Sequence, residues 1–254
     1  MKLAILGGAG RMGQMLLANA KDLGLDVVAV TEIPDSPLIG QPAAPGLVYQ
    51  ADWPTQADTV IDFTFHACVI PNLQNAVANR QAYVLGTTGL TPEERAAVDD
   101  AATRIPLCFA PNFSLGVNLL LGLVRRAAEV LDDSYDAEIV EMHHRHKKDA
   151  PSGTALGLAQ ALAQGRGVNL DDEAIYGRHG IVGERPRGQI AVHALRGGSV
   201  VGDHTVIFAA DEERVELTHK ASSRAAFAKG ALKAAQWLQG RDPGLYDMAD
   251  VLGF

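Results

Sequence analysis

The first 32 residues carry the pattern that most restricts what this chain can fold into. Leu3-Ala4-Ile5-Leu6 is a short apolar run of the kind that forms a strand buried on both faces of a parallel sheet. It leads straight into Gly8-Ala9-Gly10-Arg11-Met12-Gly13, a G-x-G-x-x-G, and then into a helical stretch from Gln14 to Leu23. A second apolar run, Val27-Val28-Ala29-Val30, ends at Thr31-Glu32. Strand, glycine turn, helix, strand and acid thus fall within one βαβ unit. The glycine spacing alone is weak, since 26 glycines in 254 residues generate such triplets by chance; the elements around it give it weight. In such a unit Gly8 makes the tight turn, Gly10 lets backbone N–H groups approach a pyrophosphate, and Gly13 lets the helix pack closely on the strand. The helix N-terminus adds roughly half a positive charge. Glu32 ends the second strand, where a carboxylate accepts hydrogen bonds from adenosine ribose hydroxyls. A carboxylate there repels a 2′-phosphate, and Ile33-Pro34 adds no cation beside it, although Arg11 in the loop offers one. NADH is favoured as the cofactor, with NADPH left open.

The alternation continues. Thr59 to Phe63, Ala82 to Leu85 and Pro106 to Ala110 read as strands, and Val69 to Arg80 as a helix. Thr91-Pro92-Glu93-Glu94 is a capping signature for a helix to about Thr103, with Thr at the cap, Pro at the first helical position and Glu at the third. Repeated β-then-α argues for an α/β, Rossmann-type doubly wound parallel sheet over residues 1–113. Beyond Asn112 the character changes. Ser114 caps a long apolar helix from Leu115 to Leu131, Glu138 to Met142 is a strand, and Gly153 to Gln164 is a helix. The runs Gln189 to Leu195, Ser199 to Ala209 and Glu213 to Thr218 read as antiparallel strands joined by tight turns. Residues 114–220 therefore form an α+β domain of four predicted strands with a mixed, largely antiparallel sheet. Phe227, Ala231, Ala234, Ala235 and Leu238 recur at helical spacing before Arg241-Asp242-Pro243-Gly244 breaks the pattern.

Charge and cysteine usage exclude several classes. Lys and Arg number 22 against 30 Asp and Glu, a net charge of −8. Such a chain is a poor general binder of nucleic acid, so an anionic ligand must be held by local charge. Cys68 and Cys108 form no C-x-x-C pair, which fits a reduced interior and supplies neither a disulfide framework nor a zinc site. No apolar run reaches the roughly 18 residues that span a bilayer, and the opening Met1-Lys2-Leu3 lacks a signal-peptide pattern. The expectation is a cytoplasmic protein with neither membrane nor nucleic acid as partner.

Local charge is concentrated in one place. His143-His144-Arg145-His146-Lys147-Lys148 packs three cations and three of the eight histidines into six residues. A solvated basic turn is the ordinary reading of such a run. Metal binding has His in its favour but no carboxylate or Cys at a matching interval. An anion-binding catalytic site gains support from Asp149-Ala150-Pro151-Ser152-Gly153-Thr154, which opens a helix whose first N–H groups, at Gly153 and Thr154, suit a carboxylate. His and Lys are also the side chains that deliver protons near neutral pH.

The pair Glu141-Met142-His143-His144-Arg145-His146-Lys147 and Asp149-Ala150-Pro151-Ser152-Gly153-Thr154-Ala155 resembles the signature of the 4-hydroxy-tetrahydrodipicolinate reductase (dihydrodipicolinate reductase) family of lysine and diaminopimelate biosynthesis. Ile61 to Thr64, Gly86 to Gly89, Ala110 to Phe113, Arg196 to Gly198, Val201 to Thr205 and Thr218 to Ala221 match as well, so the resemblance covers essentially the whole chain. It implies reduction of a ring dicarboxylate by hydride from NAD(P)H, delivered to ring carbon C4. It also implies His143 as proton donor/acceptor, Lys147 as proton donor, and His144, Lys147, Ser152, Gly153 and Thr154 as substrate ligands. Cofactor contacts would come from Gly7, Gly8, Ala9, Gly10, Arg11, Met12, Glu32, Gly86, Thr87, Thr88, Ala110, Pro111, Asn112 and Phe113. No metal is implied. Family members that use NADPH readily often carry Arg where this chain has Ile33. Residues 221–254 would return to the first domain, and the second domain would bind substrate and build a homotetramer. Two other readings stay open: another two-domain amino-acid dehydrogenase of the nicotinamide type, and a non-catalytic NAD(H)-binding redox sensor.

Overall fold

The structure, a computed structural model, describes residues 1–253. In chain order it runs β1 (Lys2–Leu6), α1 (Arg11–Ala20), β2 (Asp26–Thr31), β3 (Pro42–Ala44), β4 (Leu47–Gln50), β5 (Thr59–Asp62), α2 (Val69–Ala78), β6 (Ala82–Leu85), α3 (Pro92–Ala102) and β7 (Pro106–Phe109). Then come α4 (Leu115–Val130), β8 (Asp136–His143), α5 (Gly153–Arg166), α6 (Leu170–Glu173), β9 (Ala174–Tyr176), β10 (Ile190–Arg196), β11 (Gly202–Ala209) and β12 (Arg214–Ala221). The chain continues through α7 (Ala225–Trp237), β13 (Gly244–Tyr246) and α8 (Met248–Leu252). Two compact units result: Met1–Leu115 together with the chain from Arg224 onward, and Gly116–Ser223.

In the first unit the strand order is β13-β7-β6-β5-β1-β2-β4-β3. All neighbours are parallel except β3 and β4, an antiparallel pair. Strands buried on both faces explain the continuous apolar runs: Leu3 and Ile5 face the layer that contains Leu16 of α1 and Ala231 and Leu232 of α7, while Ala4 and Leu6 face Val69 and Leu73 of α2 and Val98 of α3. The predicted capping box on α3 is present, with Thr91 Oγ1 accepting from Glu94 N–H and the Glu94 carboxylate accepting from Thr91 N–H. The order changes direction at β1, with β2 on one side and β5 on the other, and it is outside the carboxyl ends of strands at such a point that an α/β sheet binds ligands. The short strands β3, β4 and β13, at or next to the sheet edges and mostly only half-buried or exposed, escape sequence patterning because they lack the both-faces-covered apolar runs of β5, β6 and β7.

The second unit has five strands in the order β12-β11-β8-β10-β9, a mixed sheet with two antiparallel and two parallel strand pairs, in which more residues pair antiparallel than parallel. Two sequence expectations need correction. The unit has five strands where four were predicted, because β9 spans only three residues. The run Gln189 to Leu195 does not pair with the next one: β8 lies between β10 and β11, and β10 runs parallel to it across the α5 crossover. Only β11 and β12 form the expected hairpin. Leu120 and Val124 of α4, with Leu158 and Leu162 of α5, cover one sheet face at Ile139, Ile190, Val206 and Phe208. Close helix packing is allowed by Gly165, where an added Cβ would stand 2.4 Å from Arg125 O.

Candidate active site

The first unit offers a dinucleotide groove around the glycine loop. Gly7 adopts φ +63°, a left-handed turn that suits glycine. At Gly13 an added Cβ would stand 2.5 Å from Gly7 O and 2.6 Å from Gly8 Cα, so only glycine lets α1 approach β1 this closely. Gly8 has no room either, since its Cβ would meet Val30 Cγ1 at 2.0 Å, and its N–H donates to Thr31 O. Gly10 caps α1 with no side-chain partner, leaving the helix end to backbone N–H groups.

Two cavities flank this loop and share Phe63. The first, about 660 Å³, is lined by Gly7, Ala9, Gly10, Glu32, Ile33, Asp52 and Trp53 among others, a volume ordinary for a cofactor site. Ala9 N–H donates to Glu32 Oε1 at 2.8 Å, which fixes that carboxylate over the loop. Every ionisable side chain at the wall of this cavity, apart from the Cys68 thiol, is an acid: Glu32 and Asp52. The second cavity, about 310 Å³, is lined by Arg11, Met12, Pro111, Asn112 and Phe113, together with Phe227 and Arg224 just ahead of α7. Gly86, Thr87, Thr88 and Ala110 line neither cavity. Gly86 is overlain by the Phe63 ring, where a Cβ would fall 2.1 Å from the ring, and Thr87 is buried with its hydroxyl 3.3 Å from Asp62. Thr88 is exposed and Ala110 buried.

The second unit gathers the basic motif around a buried acid. Glu141, on the core-facing side of β8, has no solvent exposure. Its carboxylate accepts from Arg196 through both terminal nitrogens, at 2.8 and 3.0 Å, and from Ser152 N–H at 3.0 Å, and it lies 2.7 Å from His143 Nδ1. Burial pushes the Glu141 carboxyl up, but hydrogen bonds from Arg196, His143 and the Ser152 backbone outweigh it and hold the group below its usual range. The contact at Nδ1 leaves Nε2 as the other imidazole nitrogen, which lies against Gly202 of β11, where an added Cβ would stand 3.0 Å away. Arg196 also donates to Asp149 O, tying down the loop that carries Lys147, whose ammonium pairs with Asp149 at 2.9 Å. Ser152 caps α5, its hydroxyl accepting from Ala155 N–H, so Gly153 and Thr154 hold the first two helical positions. Behind His143 stands His204, ring to ring at 5.2 Å, with Nε2 3.1 Å from Ser152 Oγ. Burial, then the nearby His143, pushes His204 down to about 4, so it is neutral at physiological pH. His144 closes the strand end beside His143, and its ring lies 6.2 Å from that of His146.

His143, Lys147, Ser152, Gly153 and Thr154 therefore belong to one strand-end and helix-start constellation, as their sequence proximity suggested. Sequence reasoning gave no role to Glu141, Arg196, His204 or Arg224. Arg196 and His204 lie opposite His143 and Glu141 in the strand registers, and both stand in stretches already quoted, Arg196-Gly197-Gly198 and Gly202-Asp203-His204-Thr205. Among the described residues no group of three or more His, Cys, Asp or Glu gathers to hold a metal. No helix among them is long and apolar enough to cross a membrane.

Comparison with known proteins gives a consistent result. Residues 1–113 match the family model described as dihydrodipicolinate reductase, N-terminus, and residues 116–252 match dihydrodipicolinate reductase, C-terminus. A 4-hydroxy-tetrahydrodipicolinate reductase of Thiobacillus denitrificans is 52% identical over 262 residues, covering 99% of this chain and 98% of the relative. The Akkermansia muciniphila protein of the same name is 51% identical, covering 99% of this chain and 97% of the relative. Among solved structures, the dipicolinate-bound dihydrodipicolinate reductase of Paenisporosarcina sp. TG-14 superposes with a TM-score of 0.80 at 24% identity, covering 98% of each chain, a likeness of fold.

Proposed function

The chain belongs to the dihydrodipicolinate reductase family, and from that premise we propose that it reduces 4-hydroxy-tetrahydrodipicolinate to tetrahydrodipicolinate with a reduced nicotinamide dinucleotide, in lysine and diaminopimelate biosynthesis. The observation that carries this reading is the buried Glu141 beside His143, clamped by Arg196 and by the backbone at the start of α5. A redox sensor would need no such assembly beside a carboxylate cradle. The dicarboxylate class is further supported by the dipicolinate bound to the Paenisporosarcina relative.

The residues of the first unit fit the cofactor, because Gly13 lets α1 start directly against the glycine loop, its N-terminal N–H groups free of a side-chain cap, and Glu32 is fixed above that loop. Glu32 would accept from the adenosine ribose hydroxyls, while Arg11 and Arg224 would supply the cations that a diphosphate needs. Gly7 to Met12 and Ala110 to Phe113 frame the two cavities, with Gly86 to Thr88 on the adjoining loop. An acid-lined ribose end, with Ile33 exposed beside Glu32, favours NADH over NADPH. When bound, the reduced nicotinamide supplies hydride to ring carbon C4.

The second unit supplies the counterpart chemistry. His144, Lys147, Ser152 and the N–H groups of Gly153 and Thr154 hold the two carboxylates, which offsets their negative charge and makes the conjugated ring a better hydride acceptor. The electron pair displaced in the ring is taken up with a proton from His143, whose protonated form Glu141 stabilises through Nδ1. Before hydride transfer the C4 hydroxyl leaves as water, protonated by Lys147, while His143 accepts a ring C–H proton, so one hydride and one net proton are consumed. The two free cysteines fit a reducing cytoplasm. The uncovered face of the second sheet carries Val140, Met142, Ile207 and the exposed Leu195, which suits a homotetramer interface. The test is NADH oxidation by the purified protein, with and without the ring dicarboxylate. Turnover that depends on the dicarboxylate, with a higher kcat/KM for NADH than for NADPH, is expected. A strong NADPH preference would contradict the specificity reading, and no turnover would contradict the function.

A further inference from the structure

Asp62 is a fully buried carboxylate at the carboxyl end of β5, and its hydrogen-bond partners among the described residues are neutral. Its Oδ1 accepts from Thr64 N–H at 2.7 Å, from Thr64 Oγ1 at 2.6 Å and from Thr87 Oγ1 at 3.3 Å. Its Oδ2 accepts from Asn72 Nδ2 at 2.9 Å and from Tyr83 OH at 2.5 Å. These donors come from four places: the turn after β5, α2, β6, and the loop after β6. Two of the four line the cofactor groove. Thr64 and Asn72 line the larger cavity, and Thr64 Cγ2 lies 3.0 Å from where a Cβ on Gly7 would stand. Phe63, between Asp62 and Thr64, lines both cavities, covers Gly86 and meets the Phe113 ring edge-on at 5.5 Å.

Packing alone does not call for a carboxylate here. Taking a charge out of water is costly, and apolar residues of similar volume serve a core as well or better. What the carboxylate adds is direction, since its lone pairs gather separate segments at fixed distances. Burial, then the charge of Asp62, pushes the Tyr83 hydroxyl well above its usual range, so it remains a donor throughout working pH.

We propose that Asp62 is a positioning residue of the cofactor groove: its carboxylate holds the Phe63–Thr64 turn, Asn72 and the Thr87 side chain in the shape that receives the dinucleotide, so the groove is formed before the cofactor arrives. This rests on the cofactor reading above. In Asp62→Asn, amide hydrogens face the donors of Asn72 and Tyr83, and the dissociation constant for NADH, titrated on the folded protein, rises about tenfold. The KM of the ring dicarboxylate stays within about twofold, a split that a merely structural residue would not produce. Tyr83→Phe removes one donor without touching either cavity and raises the NADH constant by about threefold, so it decides the matter if the Asn variant does not fold. Wild-type NADH affinity in every variant that folds, with only a lower Tm, overturns the proposal. An equal rise in the dicarboxylate KM, the mark of general loosening, overturns it too. Glu32→Ala separates this from the reading beneath it: undiminished NADH affinity in that variant counts against the ribose contact and not against Asp62.

Discussion

Glu141 shows at the scale of one residue how a buried acid is made tolerable and useful. Its charge is shared by a two-pronged Arg196, a backbone N–H and His143, so no acceptor capacity is left to bulk water. His204, opposite Glu141 in the strand register, meets burial differently, by staying neutral, and its Nδ1 has no hydrogen-bond partner among the described residues. Its pKa is depressed from 6.5 to about 4 in the folded chain, so the unfolded chain binds a proton more readily as pH falls. The stability it contributes is fully present above 6.5 and is lost between there and about 4, on the order of 3 kcal/mol if solvent stays out. Thermal unfolding followed from pH 7 to pH 4 should therefore show a falling Tm, and His204→Asn should flatten that fall. Glu138 acts lower on the scale. Burial opposes its ionisation, but Arg178, Arg185 and His193 prevail and hold it at about 2. Its contribution is lost only below about 4.5. An unchanged pH slope in His204→Asn would contradict the assignment of the upper window to that ring.

At the scale of elements, α5 does two jobs, covering the second sheet and presenting its N-terminus to the proposed carboxylate site. Ser152→Ala removes the cap and the hydrogen-bond partner of the His204 ring, so equilibrium urea unfolding should show a loss of about 1–2 kcal/mol. A rise in the KM of the dicarboxylate should accompany it, and a variant as stable as wild type would contradict the capping account. What was legible in the sequence follows the same scale. β1, α1 and β2 could be read because strands covered on both faces spell uninterrupted apolar runs and the turn between them admits only glycine at Gly8 and Gly13. His143, Lys147 and Ser152 could be grouped because one strand end and one helix start lie in a single short stretch. Arg196 and His204 could not, because they reach the site only through strand register, Arg196 opposite His143 and His204 opposite Glu141. The parallel pairing of β10 with β8 was hidden for the same reason. Alternation fixes which face a residue takes but not which strand lies beside it.

Across the whole molecule, the division of labour is one of charge. The first unit sets acids at the proposed ribose end and arginines beside the glycine loop, and the second sets a basic strand end around a buried acid, within a chain of net charge −8. The open face of the second sheet, with Val140, Met142 and Ile207 half-buried and Leu195 exposed, is the surface proposed for self-association. Light scattering should report about four times 26.9 kDa, and a monomer would contradict that proposal. The central claim is that hydride transfer is completed by a proton from His143 held by Glu141. Its most direct test is steady-state NADH oxidation with the ring dicarboxylate by His143→Ala, beside wild type. His143→Ala should fold and show a kcat lower by about 10²–10⁴-fold. Undiminished turnover by that variant would contradict it.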